Sequence, residues 1–324
     1  MKKLLFIGAL ALNLAACSND SNENINPSAS VVDVQESTFN PNPNPEDYRA
    51  AKHEKFLEIE KSILEKDLTK KTAAVWVRTY VPDSKFRAAL MDNGAAEEDA
   101  VSGDNYILID QSRGGLQIAG KDISDLTGIK AFTNLVQLLC SDNKLASIDV
   151  SGMVNLRWIE CHRNQLTNLN LSTNINLEQV WCHTNRIETL SLPASNGKLF
   201  GLWAYSNKLQ TLNLNGNITL SELFIQTNDL TSLNFVPFTA LQQTNLSSNQ
   251  WETLNFTQNK NLRMLYIESC SKLIDIDLRN QNNRKITNQS FYNNKFGTII
   301  HVDTDFFEIA REYWKNHGTS TYAL

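Results

Sequence analysis

The sequence predicts an α/β solenoid with one short parallel β-strand in each 21-residue turn and little helix inside the turns. A helical segment is expected in front of the turns and a helical cap behind them. Three observations lead there. A block of 21 residues recurs along the chain, each block opens with strand-like alternation, and each ends its strand with an asparagine at one fixed place.

The recurrence is direct. Leu135-Val-Gln-Leu138-Leu-Cys140-Ser-Asp-Asn143-Lys-Leu145 returns as Leu156-Arg-Trp-Ile159-Glu-Cys161-His-Arg-Asn164-Gln-Leu166. It returns again as Leu177-Glu-Gln-Val180-Trp-Cys182-His-Thr-Asn185-Arg-Ile187. Further copies begin at Leu199, Leu220, Leu241 and Leu262, and degenerate ones lie near Leu116 and Ile286. Successive strand residues point to opposite faces, so Leu138 and Cys140 face inward while Gln137, Leu139 and Ser141 face out. The inward asparagines, Asn143, Asn164, Asn185, Asn207, Asn228 and Asn249, are placed to bond backbone groups of adjacent turns, which a turning chain inside a core must satisfy. A single block cannot bury enough surface to offset its own ordering, so stability has to come from stacking. One block departs: Cys270 stands where the others carry asparagine, and an extra residue precedes Leu273.

This pattern resembles the leucine-rich-repeat family, in particular its short bacterial 21-residue type sometimes called IRREKO, over roughly residues 113–302. The stretches Tyr80-Val-Pro-Asp83 and Asp122-Ile-Ser-Asp-Leu-Thr-Gly128 look like Bacteroidetes members of that family. The resemblance implies an α/β leucine-rich-repeat solenoid whose role is to bind other proteins.

The start of the chain is a separate signal. Lys2 and Lys3 precede an apolar run, Leu4 to Ala16, too short to span a membrane, and Leu14-Ala-Ala-Cys17 follows the pattern of a signal peptide exit. It resembles the lipobox of bacterial lipoproteins, which implies cleavage before Cys17 and a diacylglycerol on its thiol. Ser18 after the cysteine implies the outer membrane, and Asp20 with Glu23 resembles the acidic signal that sends Bacteroidetes lipoproteins to the cell surface. The expected organisation is a signal peptide at 1–16, a disordered tether at 17–45, an N-terminal helical segment and cap at 46–112, the repeats at 113–302 and a C-terminal cap helix with a tail at 303–324.

Composition supports these limits. From Ser18 to Tyr48 there is no Lys or Arg, and Asn, Ser and Pro dominate, a composition that cannot bury a core. Phe56, Ile59 and Ile63 follow helical spacing, Ala73 to Val81 alternates like a strand, and Asp83 stands as the N-cap of a helix that contains Phe86 and Leu90. Phe306, Phe307, Ile309, Ala310, Tyr313 and Trp314 give the terminal cap an apolar helical pattern, with Asp303 or Thr304 before it and Gly318 after. A net charge of −5 argues against a nucleic-acid partner.

The candidate site is the concave face, formed by the outward strand positions. One column reads Leu139, Glu160, Trp181, Trp203, Phe224, Asn245 and Tyr266. Trp158 and Met264 flank it on one side, and His162, His183, Tyr205 and Gln226 on the other. Solvent-facing aromatics have no folding reason to cluster, whereas binding faces are rich in Trp and Tyr; the competing reading is an aromatic ladder that only stiffens the sheet. The residues expected to meet a partner are therefore Trp158, Glu160, His162, Trp181, His183, Trp203, Tyr205, Phe224 and Tyr266, and the partner is a protein or a glycan. Cys140, Cys161 and Cys182 share one inward column and read as stacked small hydrophobes, with a disulfide as the less favoured alternative. Cys161-His162 and Cys182-His183 are not ligand pairs, because adjacent strand residues point to opposite faces. No catalytic constellation, metal site or cofactor motif is expected.

Overall fold

The structure, a computed structural model, describes residues 75–100, 105–194, 197–314 and 320–324. The expected signal peptide, Cys17, the tether and the helical spacing over Glu46–Lys71 lie outside the described residues.

The described N-terminal part, from residue 75, is more sheet than helix. Strand β1 (Trp76–Tyr80) pairs antiparallel with β3 (Tyr106–Asp110), and β2 (Ala96–Glu98) pairs with the other edge of β3. Between β1 and β2 runs helix α1 (Ser84–Asp92), which buries Phe86, Ala89 and Leu90. Asp83 caps it, accepting from the N–H groups of Lys85 and Phe86. Its other oxygen accepts from Ser124 N, Ser124 Oγ and Asp125 N, so one carboxylate ties the helix to the first turn of the solenoid. Burial alone would raise the pKa of Asp83, but the hydrogen bonds from Phe86, Ser124 and Asp125 outweigh it and hold the pKa below the ordinary value.

The repeats wind into a parallel β-solenoid of the leucine-rich-repeat kind, with about nine turns. Its main wall is a nine-stranded sheet, one strand per turn. The strands are β4 (Gly115–Gln117), β5 (Gln137–Leu139), β6 (Trp158–Glu160), β8 (Gln179–Trp181), β10 (Gly201–Trp203), β11 (Glu222–Phe224), β12 (Gln243–Asn245), β14 (Met264–Tyr266) and β16 (Asn288–Ser290). Every neighbouring pair is parallel and in register, as Leu138 with Ile159, Ile159 with Val180, and Val180 with Leu202. Both degenerate blocks, near Leu116 and Ile286, contribute strands.

A second wall, absent from the sequence reading, runs along the other side of the coil. There β7 (Asn168–Asn170) pairs with β9 (Thr189–Ser191). Further on, β13 (Thr253–Asn255), β15 (Asp275–Asp277), β17 (Thr298–His301) and β18 (Ser320–Ala323) form a four-stranded parallel sheet. The terminal helix α2 (Phe307–Tyr313) is short, and after it the chain returns as strand β18. Trp314 closes this end against Phe306 (4.8 Å), Phe291 (5.9 Å) and Tyr322 (6.2 Å between ring centroids).

Between the walls the core is continuous, taking Leu138, Ile159, Val180, Leu202, Leu223 and Leu265 from the main sheet and Leu169, Leu190, Leu254 and Ile276 from the second. The asparagine column works as expected. Asn185 Nδ2 donates to Cys182 O in its own turn and to Cys161 O in the turn before, both at 3.0 Å, while its Oδ1 accepts from Leu166 N. Asn143, Asn164, Asn207, Asn228 and Asn249 repeat the arrangement. The residue before each asparagine takes a left-handed backbone: Asp142, Arg163, Thr184, Ser206, Thr227 and Ser248 all have φ between 52° and 57°. That conformation costs about 1–2 kcal/mol for a non-glycine residue, and the asparagine bonds on either side of the bend offset it. At the odd block Leu246 O accepts instead from Trp251 Nε1, with Cys270 Sγ 3.9 Å away, and the column resumes at Asn294, which bonds Cys270 N and Ile267 O.

A second asparagine seam, unforeseen, lies at the opposite corner. Asn174 Nδ2 reaches Val150 O and Met153 O, and Asn259 Nδ2 reaches Phe235 O and Phe238 O, all in the preceding turn. These amides are buried. Their signal in the sequence is an asparagine three residues before the opening leucine of the block.

Candidate binding face

The main sheet has two faces, and the second one carries the candidate residues. Because the side chains alternate, Trp158, Glu160, His162, Trp181, His183, Trp203, Tyr205, Phe224 and Tyr266 all leave the strands on the side away from the core. None of their apolar members belongs to the connected core that contains Leu138, Ile159 and Cys161. The indoles are therefore on the wall where the sequence placed them.

Their exposure differs from expectation. The aromatic and polar side chains of this face were expected to be open to solvent, yet each of the nine candidates is at most 8% exposed. Part of the reason is mutual packing. Strands about 4.8 Å apart hold large rings at stacking distance, so each ring covers its neighbours. Two rows result. Trp181 and Trp203 lie 4.9 Å apart between centroids, Trp203 and Phe224 5.8 Å apart with their planes 10° from parallel, and Trp158 joins diagonally to Trp181 at 5.9 Å. Beside them, His162 stacks on His183 at 4.4 Å and His183 on Tyr205 at 4.2 Å. Tyr266 stands apart from both rows, because Asn245 lies between it and Phe224 in the register; its hydroxyl bonds Asn288 Oδ1 instead.

The rows are held by their own polar neighbours. Trp181 Nε1 donates to Gln179 Oε1 at 3.2 Å, two residues back on the same strand. Asn245 Oδ1 accepts from Ser247 N. His183 Nδ1 lies 3.1 Å from Thr184 Oγ1. Burial, followed by the charges of His162 and Arg163, lowers the pKa of His183 to about 2, so this imidazole is neutral throughout the physiological range. Burial raises the Tyr205 phenol to about 12.

Gly201 sets the position of one indole. A Cβ built on Gly201 would lie 2.3 Å from Trp203 Cζ3 and 2.6 Å from Cη2, so the six-membered ring of Trp203 lies over the glycine Cα. Any side chain at residue 201 would force that ring out of the row. Sequence reading also passed over Glu222, fully buried on this face beside Gln179 and Gly201, and Glu268 further along. Extending the flanking columns strand by strand would have found both glutamates.

The cysteines contribute no chemistry. Cys140, Cys161, Cys182 and Cys270 are free thiols with no exposed surface. Burial raises their pKa values, that of Cys182 to about 12, so the thiols stay protonated and unreactive. Among the described residues no group of three or more His, Cys, Asp or Glu side chains could hold a metal ion.

Comparison with known proteins places the fold and little more. No family model matches the chain, and no curated protein does. Among solved structures it is similar to internalin F of Listeria monocytogenes, 17% identical over 76% of this chain and 77% of that one, with a TM-score of 0.56. It is similar also to a chain of the LRIM1/APL1C complex, 20% identical over 64% of this chain and 40% of that one, with a TM-score of 0.50. It spans 63% of the functional domain of InlJ from Listeria monocytogenes, at 21% identity and a TM-score of 0.33.

Proposed function

We propose that the chain, a leucine-rich-repeat solenoid whose main sheet carries these rings on its outward face, is a non-catalytic binding protein of the cell envelope, an adhesin or an adaptor. It is held to the outer membrane by a lipid on Cys17 and engages a protein partner through the outward face of its main sheet. The observation that carries this reading is the separation of the two faces. Trp158, Trp181, Trp203 and Phe224 are large, contiguous and in register, yet contribute nothing to the core that stacks the turns. Tryptophan and tyrosine dominate the energetics of protein interfaces, and solenoids present such surfaces along their strands. One structural neighbour was solved as a complex of two proteins, LRIM1 and APL1C. Because the rings are nearly buried, binding through them requires that this face open to the partner.

The test is crosslinking in the native host with a photoreactive residue in place of Leu139 or Asn245, at the two ends of the ring row. The expected result is one protein crosslinked from both positions, lost in Trp181→Ala with Trp203→Ala and kept in Ile175→Ala, which removes an exposed side chain at 54% exposure elsewhere on the coil. Crosslinks that survive loss of both indoles would overturn the reading. The anchor is tested separately: mass spectrometry should find diacylglycerol on Cys17, and an unmodified N-terminus would remove the lipoprotein part alone.

One observation keeps a glycan ligand in view. Trp203 and Phe224 form a nearly parallel platform beside Gln179, Glu160 and Asn245, which could hydrogen-bond sugar hydroxyls. A glycan-array signal abolished by Trp203→Ala, with no protein crosslink, would establish that reading in place of the first.

A further inference from the structure

Three rings form a continuous stack on the outward face, and the middle one is an imidazole. His162, in the turn after β6, lies over one side of His183 at 4.4 Å with the planes 17° apart; Tyr205, after β10, lies over the other at 4.2 Å and 6°. Both faces of the His183 ring are therefore covered, and the residue is 1% exposed. Its Nδ1 lies 3.1 Å from Thr184 Oγ1, while its Nε2 is buried with no hydrogen-bond partner among the described residues. A neutral imidazole can leave that nitrogen as a bare lone pair. An imidazolium cannot, because both of its nitrogens carry hydrogens that need acceptors, and a buried donor left unmet is costly.

The charges around the stack oppose a proton as well. The groups facing His183 are His162 and Arg163 from the turn before, Tyr205 from the turn after and Thr184 beside it. Burial acts most strongly, then His162, then Arg163, and all three favour the neutral ring; among the described residues no carboxylate acts on it. Asp142, one turn further back, lies 3.9 Å from His162 Nε2 and 3.5 Å from the Arg163 guanidinium, so its charge serves the outer end of the stack. The ring of Tyr205 attracts a cation, but on one side only, against a second imidazole on the other. A proton therefore binds His183 readily only after its ring has left the stack and met water. That departure reaches the indoles, since His162 also borders Trp181 at 6.4 Å between centroids.

We propose that the stack His162–His183–Tyr205 is an acid-released catch on the outward face: proton uptake at His183 expels its imidazole and opens the adjoining indole row to the protein partner. The proposal rests on the reading of this face as a protein-binding surface and adds when that surface is available, closed in neutral surroundings and open in mildly acidic ones. Its size follows from linkage. In the stack the pKa of His183 is held at about 2, whereas a ring in water has about 6.5. Each pH unit below about 6.5 thus shifts the ratio of open to closed molecules about tenfold. Between pH 7.5 and 4.5 the ratio should rise about 100-fold.

The test reads brief oxidation of the tryptophans of the full chain by N-bromosuccinimide, peptide by peptide in the mass spectrometer, at pH 7.5 and 4.5. Two indoles serve as standards: Trp76, 36% exposed, reports the reagent, and Trp251, buried in the core, reports the fold. Relative to Trp76, oxidation of Trp181 and Trp203 should quicken toward about 100-fold at the lower pH, with Trp251 still protected. His183→Phe and His183→Gln, neutral at every pH, should each abolish the rise, and His301→Gln on the second wall should keep it. No rise, a rise shared by Trp251, or one that survives in either His183 variant overturns the catch; the first two outcomes are read on the unaltered chain, so a variant that fails to fold leaves the test intact. The photoreactive residue at Asn245 separates the two readings. A protein captured at pH 4.5 and not at 7.5 supports the catch, and equal capture at both overturns it while the protein-binding reading stands. Opening of the indoles without capture at either pH removes the protein-binding reading alone.

Discussion

The two faces of the main sheet are built from the same strands and follow opposite rules. On the inner face of the seven main-sheet strands from β5 to β14 the middle residue is Leu138, Ile159, Val180, Leu202, Leu223, Thr244 and Leu265, nearly the same side chain turn after turn. On the outer face the third residue is Leu139, Glu160, Trp181, Trp203, Phe224, Asn245 and Tyr266, different almost every time. Stacking demands sameness inside, because every turn must fit the one before it at packing density. Outside, rings of neighbouring turns pack on one another without repeating, so those positions can differ from turn to turn. Repetition marks what holds the coil together, and under the proposed function variation marks what it offers to others.

That contrast can be broken at either face, and the inner one should yield most. Asn228→Ala strips a partner from Ala204 O, Ile225 O and Leu209 N at once. Ala204 O keeps the amide of Asn207 and Ile225 O that of Asn249, so at about 1–3 kcal/mol for the unsatisfied Leu209 N and about 0.5–1.5 kcal/mol for each of the two carbonyl bonds the loss should be on the order of 2–6 kcal/mol, read as a fall in the urea midpoint. An unchanged midpoint would mean that the seam is not what holds adjacent turns. Gly201→Ala comes next, since its methyl meets the Trp203 ring at van der Waals overlap. It should cost about 1–3 kcal/mol as overpacking and alter indole emission, while the same change at Gly152, where a Cβ meets no atom within 4 Å, should leave emission alone.

The smallest effect is a pH dependence confined to the outer face. Burial holds the folded-state pKa of His183 near 2, below its unfolded value of about 6.5. The unfolded chain therefore binds the extra proton first, and the stability tied to the neutral ring is complete above about pH 6.5 and lost as pH falls below it. The contribution to the slope is at most about 1.4 kcal/mol per pH unit. His183→Phe should flatten the decline of the urea midpoint between pH 6.5 and 4; an unaltered decline would place the proton uptake elsewhere.

Sequence alone showed the period, the strand starts and the front asparagine seam, because each recurs at one fixed position and stacking admits no drift. The second wall was not legible, since strands such as Asn168–Asn170 and Thr189–Ser191 present one buried leucine between polar neighbours and have no alternation long enough to see. The N-terminal sheet escaped for a related reason: Ala96–Glu98 becomes a strand only by pairing with Tyr106–Asp110. On the candidate face, direction was readable and exposure was not. Alternation says which side a tryptophan takes; only the packing of rings from neighbouring turns says how much of it water still reaches. Gly201 was invisible in the same way, as its role is the space it leaves for a residue two places on.

The front seam always points one way. Asn164, Asn185, Asn207, Asn228 and Asn249 each reach back to the carbonyl and the N–H of the turn before and never forward. A ribosome delivers this chain from its N-terminal end, so the youngest coil always emerges unfinished and is completed only by its successor. Shortening the protein from the far end leaves this corner of the last coil unserved, whereas at the same corner shortening it from the near end frees side-chain amides that water can serve. The molecule thus has a direction of growth written into its hydrogen bonds, and its tolerance of truncation should be lopsided.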